Sequence, residues 1–290
     1  MRRADLAMYE AKRTQGGVKR WSDQTRSASR NRISLTGDVE RAFENDEFVL
    51  YFQPIVDAVS GEVVDSEGLL RWLHPTHGLL LPNDFLELVE GIGRRGAMDR
   101  LVFDRAARFA ARIRPFNVGV SLNVSAASLL RSSLPQTLAA TLARHDVVPR
   151  RITVEVIEDE MLDEHATARA VLSALGELGV GIAIDDFGTG HSSLSRLRRL
   201  PVTSLKIDRT FVSAMLASDD DEAIVGAVSR LGQSLDLLVV AEGVEDMAVR
   251  DHIVAADLPI DRLQGYGVAR PMPEDDLVEW IEARRRVTVG

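Results

Sequence analysis

The feature that most limits how this chain can fold is an alternation. Short apolar runs rich in Val, Ile and Leu recur between longer amphipathic stretches. The runs Phe48–Val56, Val63–Leu70, Val118–Asn123, Ile152–Val156, Val180–Ile184, Ser204–Ile207, Leu237–Ala241 and Asp261–Gln264 read as strands. Between and after them, Phe85–Ile92, Met98–Ile113, Leu134–Arg144, Ala166–Leu178, Ser192–Leu197, Glu222–Leu235, Asp246–Ala256 and Pro273–Arg285 read as helices. Strands buried on both faces appear as near-continuous apolar runs, and strands alternating with helices imply a parallel sheet. Eight such repeats in a domain of about 250 residues predict an α/β fold, a (β/α)8 TIM-like barrel rather than an open sheet.

A second regularity rides on the first. Each apolar run leads into a polar residue able to do chemistry: Glu67, Asn123, Glu155, the pair Asp185 and Asp186, Lys206, Glu242 and Gln264. In such a barrel the carboxyl ends of the strands converge on one rim, where active sites sit. Carboxylates gathered there cannot all ionise without cations between them. All-oxygen ligation suits Mg²⁺ or Mn²⁺. Adjacent Asp185 and Asp186 are placed to bridge two metals, the arrangement that serves displacement at phosphorus, and Lys206 would neutralise charge or orient a water. The competing explanation is helix capping, which favours Asp, Asn and Ser. It suits Ser125 and Asp246, and suits Glu155, Lys206 and Glu242 poorly.

Composition narrows the partners. The 35 basic and 44 acidic residues give a net charge of −9 with no basic stripe, which argues against a DNA or RNA polymer. The absence of cysteine removes disulfides, thiolate metal sites and thiol nucleophiles. No apolar run reaches the roughly 18 residues of a membrane span, and the charged start does not resemble a secretory signal, so the cytoplasm is the expected location. Residues 1–17 read as a helix ended by Gly16-Gly17, 18–32 as a polar linker, 33–285 as one barrel domain and 286–290 as a tail. The full-length protein could still be anchored to a membrane by regions outside this sequence.

Other signals carry less weight. Gly91–Gly96 fits GxGxxG but follows a helix rather than a strand. His74 and His77 have metal-pair spacing in a polar loop, Asp219–Glu222 reads as an acidic helix start, and Arg284–Arg286 as a helix C-terminus.

The residues at the strand ends sit in segments that resemble a known family. YFQPIV (51–56), EGLLRW (67–72), SLNVS (121–125), EVIE (155–158), DDFGTGHSSL (185–194), LKID (205–208), AEGVE (241–245) and QGYGVARPMP (264–273) follow in order. Together they resemble an EAL domain, a phosphodiesterase of the bacterial second messenger cyclic di-GMP. The signature Glu-Ala-Leu stands here as Glu67-Gly68-Leu69.

The resemblance implies hydrolysis of cyclic di-GMP to linear pGpG, with two sites for Mg²⁺ or Mn²⁺. It implies Glu67, Asn123, Glu155 and Asp185 as ligands of one metal and Asp185 and Asp186 as ligands of the second. Glu242 would serve metal binding or base catalysis, and Lys206 would contact the nucleophilic water, so Glu67, Lys206 and Glu242 are the expected catalytic residues. Gln53, Leu69, Arg71, Asp208 and Gln264 are implied in substrate binding. Glu158 would anchor the loop Phe187–Ser193, which in the family links the active site to a dimer interface, so a homodimer is expected. The head ADLAMYEAK resembles the last helix of a GGDEF domain, implying upstream GGDEF or sensor domains. A catalytically weak or inactive form, acting as a cyclic di-GMP sensor or a regulatory interaction domain, is the alternative. Gly68 in place of alanine adds backbone freedom beside Glu67, and Ile157 and His191 also depart from the family pattern.

Overall fold

The computed structural model describes residues 35–157, 165–189, 197 and 200–288. The head helix, the linker, Glu158, His191 and most of the predicted helix Ser192–Leu197 lie outside the described residues.

The described chain forms two compact units, one reaching to Phe48 and including Arg71–Arg95, the other comprising Val49–Leu70 and the chain from Gly96 on. The smaller holds helix α1 (35–44) and α2 (Pro82–Gly91), together with β3 (Gly78–Leu80) paired antiparallel to Trp72, Leu73 and His74. Its core is aromatic: Phe48 lies 4.9 Å from Phe43, 5.1 Å from Trp72 and 5.3 Å from Phe85, ring centre to ring centre. Tilted ring pairs of this kind stabilise by about 0.5–1.5 kcal/mol beyond their buried area. The Trp72 indole donates to Glu47 Oε2 at 2.9 Å. Buried His74 has both ring nitrogens engaged. Its Nδ1 accepts from the amides of Thr76 and His77, which puts the proton on Nε2, 3.2 Å from Asp38 Oδ2. This histidine is a structural hub and not half of a metal pair.

The larger unit is the barrel. Its strands are β1 (Phe48–Asp57), β2 (Val63–His74), β4 (Val120–Asn123), β5 (Ile152–Ile157), β6 (Gly181–Phe187), β7 (Ser204–Ile207), β8 (Leu238–Ala241) and β9 (Arg262–Leu263). They run in the order β1-β9-β8-β7-β6-β5-β4-β2, and a β1–β2 pairing closes the cylinder. Seven strands are parallel, whereas β1 is antiparallel to β9, pairing Val56 with Leu263. The expectation of a parallel sheet therefore fails for one strand. The cause is length: only residues 58–62 separate β1 from β2, which allows a hairpin and no helical crossover.

The helices are α3 (Arg95–Arg112), α4 (Ala126–Leu129), α5 (Leu134–Arg144), α6 (Ala166–Glu177), α7 (Arg209–Ala214), α8 (Asp219–Ser234), α9 (Met247–Ala255) and α10 (Glu274–Thr288). Each of the longer ones buries an apolar stripe. In α3 this stripe includes Met98, Phe103 and Phe109, and the Phe109 ring stacks on Phe52 of β1 at 3.8 Å. Capping fixes the starts: Ser125, Asp208, Ser218 and Asp246 each accept a hydrogen bond from an amide in the following first turn. The acidic run Asp219–Glu222 occupies the first turn of α8, where negative charge meets the positive end of the helix dipole.

Candidate active site

Strand geometry collects the polar residues of the barrel. Gln53 comes from β1, Glu67 from β2, Asn123 ends β4, Glu155 lies in β5, Asp185 and Asp186 in β6, and Lys206 in β7. Glu242 follows β8 directly, and Gln264 follows β9.

Lys206 is the centre. It is 1% exposed, and its Nζ lies 2.5 Å from Glu242 Oε1, 2.7 Å from Glu155 Oε2, 3.3 Å from Asp185 Oδ1 and 3.7 Å from Glu67 Oε2. Burial opposes its charge, but the surrounding carboxylates outweigh burial and hold the ammonium well above its usual range. Glu67 is held on three sides. Asn123 Nδ2 donates to its Oε1 at 2.6 Å, Gln264 Nε2 donates to its Oε2 at 2.6 Å, and Lys206 adds charge. Burial pushes its carboxyl up, yet Lys206 and the two amides bring it below the ordinary value. Gln264 also donates to Gln53 Oε1 at 3.3 Å, and Gln53 donates to the Ala269 carbonyl at 3.0 Å.

The other acids go the opposite way. Burial drives Glu155 well above the carboxylate range and Glu242 up to about 8, with neighbouring acids adding to both. Asp186 rises to about 6 through burial, then Asp185 and Asp208. The ring thus holds more carboxyl groups than its one ammonium can keep ionised. Two unit charges 4 Å apart at an effective dielectric near 20 repel by about 4 kcal/mol.

Adjacent residues of a strand normally face opposite sides, so Asp185 and Asp186 should point apart. A bulge resolves this. Between Ile184 and Phe187, β6 has one residue more than the facing stretch of β7, Leu205 to Ile207. Asp186 occupies it in the left-handed region, at φ 55°. Aspartate tolerates that region better than most residues. As a result one carboxylate oxygen from each of Asp185, Asp186 and Glu242 falls within 4.8 Å of the others.

These oxygens fit a hard divalent cation. Asp185 Oδ1 is buried and accepts no hydrogen bond, although Lys206 lies near it. Asn123 turns its amide nitrogen to Glu67, which leaves the amide oxygen as the potential ligand atom. A set of carboxylate and amide oxygens without histidine or thiolate suits Mg²⁺ or Mn²⁺.

The structure therefore brings together Gln53, Glu67, Asn123, Glu155, Asp185, Lys206, Glu242 and Gln264, linked by hydrogen bonds or ion pairs, with Asp186 beside Asp185 and Glu242. Asp208 caps α7, accepting from the Thr210 amide at 2.8 Å, and its carboxylate helps push the neighbouring Asp186 carboxyl up. Leu69 lies half-buried in β2, and Arg71 is buried in that strand within the smaller unit. The Ala269 carbonyl that holds Gln53 has no signal in QGYGVARPMP, because a main-chain contact does not depend on the residue's side chain.

At Gly68 the missing side chain matters for space rather than for backbone freedom. Its backbone is not left-handed, and a Cβ built there would lie 2.8 Å from Leu122 Cδ2 and 3.4 Å from Phe52 Cε1. Leu122 is its register partner across β2 and β4.

A barrel whose strand ends converge on acids, amides and one buried lysine has the make-up of a barrel enzyme. The sequence comparisons make that class specific: the chain belongs to the EAL domain family, whose model matches residues 36–271. It is 37% identical over 282 residues to the bifunctional diguanylate cyclase/cyclic di-GMP phosphodiesterase MucR of Pseudomonas aeruginosa, an alignment covering 95% of this chain and 40% of MucR. It is 34% identical over 289 residues to the cyclic di-GMP phosphodiesterase NbdA of the same organism, covering 98% of this chain and 37% of NbdA. The chain thus spans about two fifths of the length of these relatives. In three dimensions it matches the PaMucR phosphodiesterase in complex with c-di-GMP at a TM-score of 0.79 and 38% identity, over 84% of this chain and 99% of that one.

Proposed function

We propose that this chain hydrolyses cyclic di-GMP to linear pGpG in a reaction that requires Mg²⁺ or Mn²⁺. The observation that carries the reading is the excess of buried carboxylates around Lys206, with Asp185 Oδ1 left without a hydrogen bond. Family membership and the likeness to MucR supply the substrate.

Glu67, Asn123, Glu155, Asp185, Asp186 and Glu242 are the residues that would hold two ions. When bound, these would supply Lewis-acid charge, lowering the pKa of a water and offsetting charge on the phosphoryl oxygens. The reaction forms a bond from the water oxygen to phosphorus and breaks one P–O3′ bond, with a proton reaching the departing 3′ oxygen. Lys206 orients the water through an N–H and keeps the acids from repelling one another. Gln264 and Asn123 fix the Glu67 carboxylate in one rotamer. Gln53, Leu69, Arg71, Asp208 and Gln264 bind the dinucleotide. Asp208 couples this role to Asp186, whose carboxyl it helps push up.

The whole protein reads as a longer signalling enzyme in which 33–285 is the phosphodiesterase domain and 1–17 the end of a GGDEF domain. Glu158 would anchor the loop after Asp186, and that loop would face a homodimer partner. Among the described residues no helix is long and apolar enough to cross a membrane.

The test incubates the purified chain with cyclic di-GMP and Mg²⁺ and separates the products by chromatography. The expected product is pGpG, absent with EDTA and with Glu67→Ala. Binding without turnover would instead make the chain a cyclic di-GMP sensor.

A further inference from the structure

A second concave site lies in the barrel unit, and none of the acidic-ring residues lines it. It is a cavity of about 570 Å³ among the β1–β2 turn, α9 and α10. Its apolar wall is built from Val56, Val63, Met247, Val268, Trp280 and Ile281. The volume is within the range of small-molecule sites, which are mainly apolar with a few polar groups that fix orientation.

The polar groups here are mostly cationic. Arg250, Arg284 and Arg285 line the cavity, with Glu62 as the acidic member of the lining. Arg250 donates through Nε to the Ala58 carbonyl at 3.1 Å and through Nη2 to the Val59 carbonyl at 2.7 Å. Arg284 donates to the Gly61 carbonyl at 3.2 Å and lies 4.3 Å over the Trp280 ring. Arg250 is thus tied to the turn through two of its carbonyls and Arg284 through a third. They are close enough that burial, and then the charge of Arg250, pull Arg284 below its usual range. Arg285 lies 5.2 Å from the Phe116 ring. Among the described residues, neither Arg250 nor Arg285 forms an ion pair with a carboxylate.

We infer that this cavity binds a small amphipathic anion, an apolar body carrying one carboxylate, sulfonate or phosphate group. The apolar part would lie against Trp280, Val56 and Val63, and the anionic head would meet Arg250 and Arg284. Guanidiniums already tethered lose little further freedom on gripping an anion, and their planar forks match a carboxylate or a phosphate. Charge complementarity separates this ligand from a neutral one of equal size.

The probe is 8-anilinonaphthalene-1-sulfonate, titrated into the full chain in EDTA and followed by its fluorescence and by energy transfer from tryptophan. The expected result is saturable binding with transfer that falls steeply in Trp280→Phe and little in Trp72→Phe, Trp280 being the tryptophan that lines the cavity. Octanoate displaces the probe roughly tenfold better than octanol, the ratio expected when one charged hydrogen bond separates two ligands. Arg284→Gln weakens the probe by a similar factor. If Arg284→Gln fails to fold, the octanoate and octanol comparison on the native chain decides alone. Absence of saturable binding, equal displacement by octanoate and octanol, or full energy transfer in Trp280→Phe would overturn the assignment.

Discussion

At the scale of single residues, the site rests on two backbone accommodations. Gly68 leaves room for the Leu122 side chain beside the Glu67 carboxylate. Restoring the family's alanine with Gly68→Ala forces a buried side chain to move, and should lower stability by about 1–3 kcal/mol by denaturant unfolding. Combined with Leu122→Val, which removes the clashing methyl, the double variant should be more stable than the two single effects added together. Asp186 is the second accommodation, with its left-handed backbone at the bulge. Asp186→Asn keeps a residue tolerant of that backbone, so the fold should survive while metal-dependent turnover falls. Asp186→Val should cost a further ~1–2 kcal/mol, read as a lower Tm, because a β-branched residue is strained there. Lys206→Met would remove the ammonium that four carboxylates share. The expected outcome is lost turnover and a lower Tm in EDTA, with part of the Tm recovered on adding Mg²⁺.

At the scale of elements, Asp208 serves two structures at once, as cap of α7 and as partner of Asp186. Asp208→Ala should cost about 1 kcal/mol of stability, the usual loss of a cap. Asp208→Ser should restore the cap and the Tm but leave KM for cyclic di-GMP raised. A merely structural role would return both. The elements also show what a sequence can reveal. β7 and α5 lie where periodicity places them, since continuous burial and a clean apolar stripe leave little choice. β3 has only three residues after a turn, and α4 and α7 only four and six, too short for any period to register. The reversed direction of β1 was legible in the five residues before β2, although the alternation around it pointed to a parallel sheet. The ring acids were legible because each follows an apolar run. The bulge that turns Asp185 and Asp186 to one side was not, because it depends on register with a strand that is distant in sequence. The packing role of Gly68 likewise appears only once Leu122 is placed across from it.

At the scale of the whole molecule, a net charge of −9 and an acidic ring leave the proposed phosphodiester site dependent on cations at that ring. The barrel brings acids that are far apart in sequence, from Glu67 to Glu242, around one buried ammonium, more acids than that ammonium can keep ionised. Ions that bind the folded ring and not the unfolded chain must stabilise the fold, by about 2.7 kcal/mol at a hundred times their Kd. Mg²⁺ should therefore raise the Tm of the native chain, and EDTA should reverse the shift. The most direct test is calorimetric titration of Mn²⁺ into the metal-free chain and into Asp185→Asn, a near-isosteric change that removes one charge from the ring. Saturable binding in the native chain, lost or greatly weakened in Asp185→Asn, is the predicted result. No binding to the native chain, or equal binding to both, would contradict the assignment of the acidic ring as the metal centre of a phosphodiesterase.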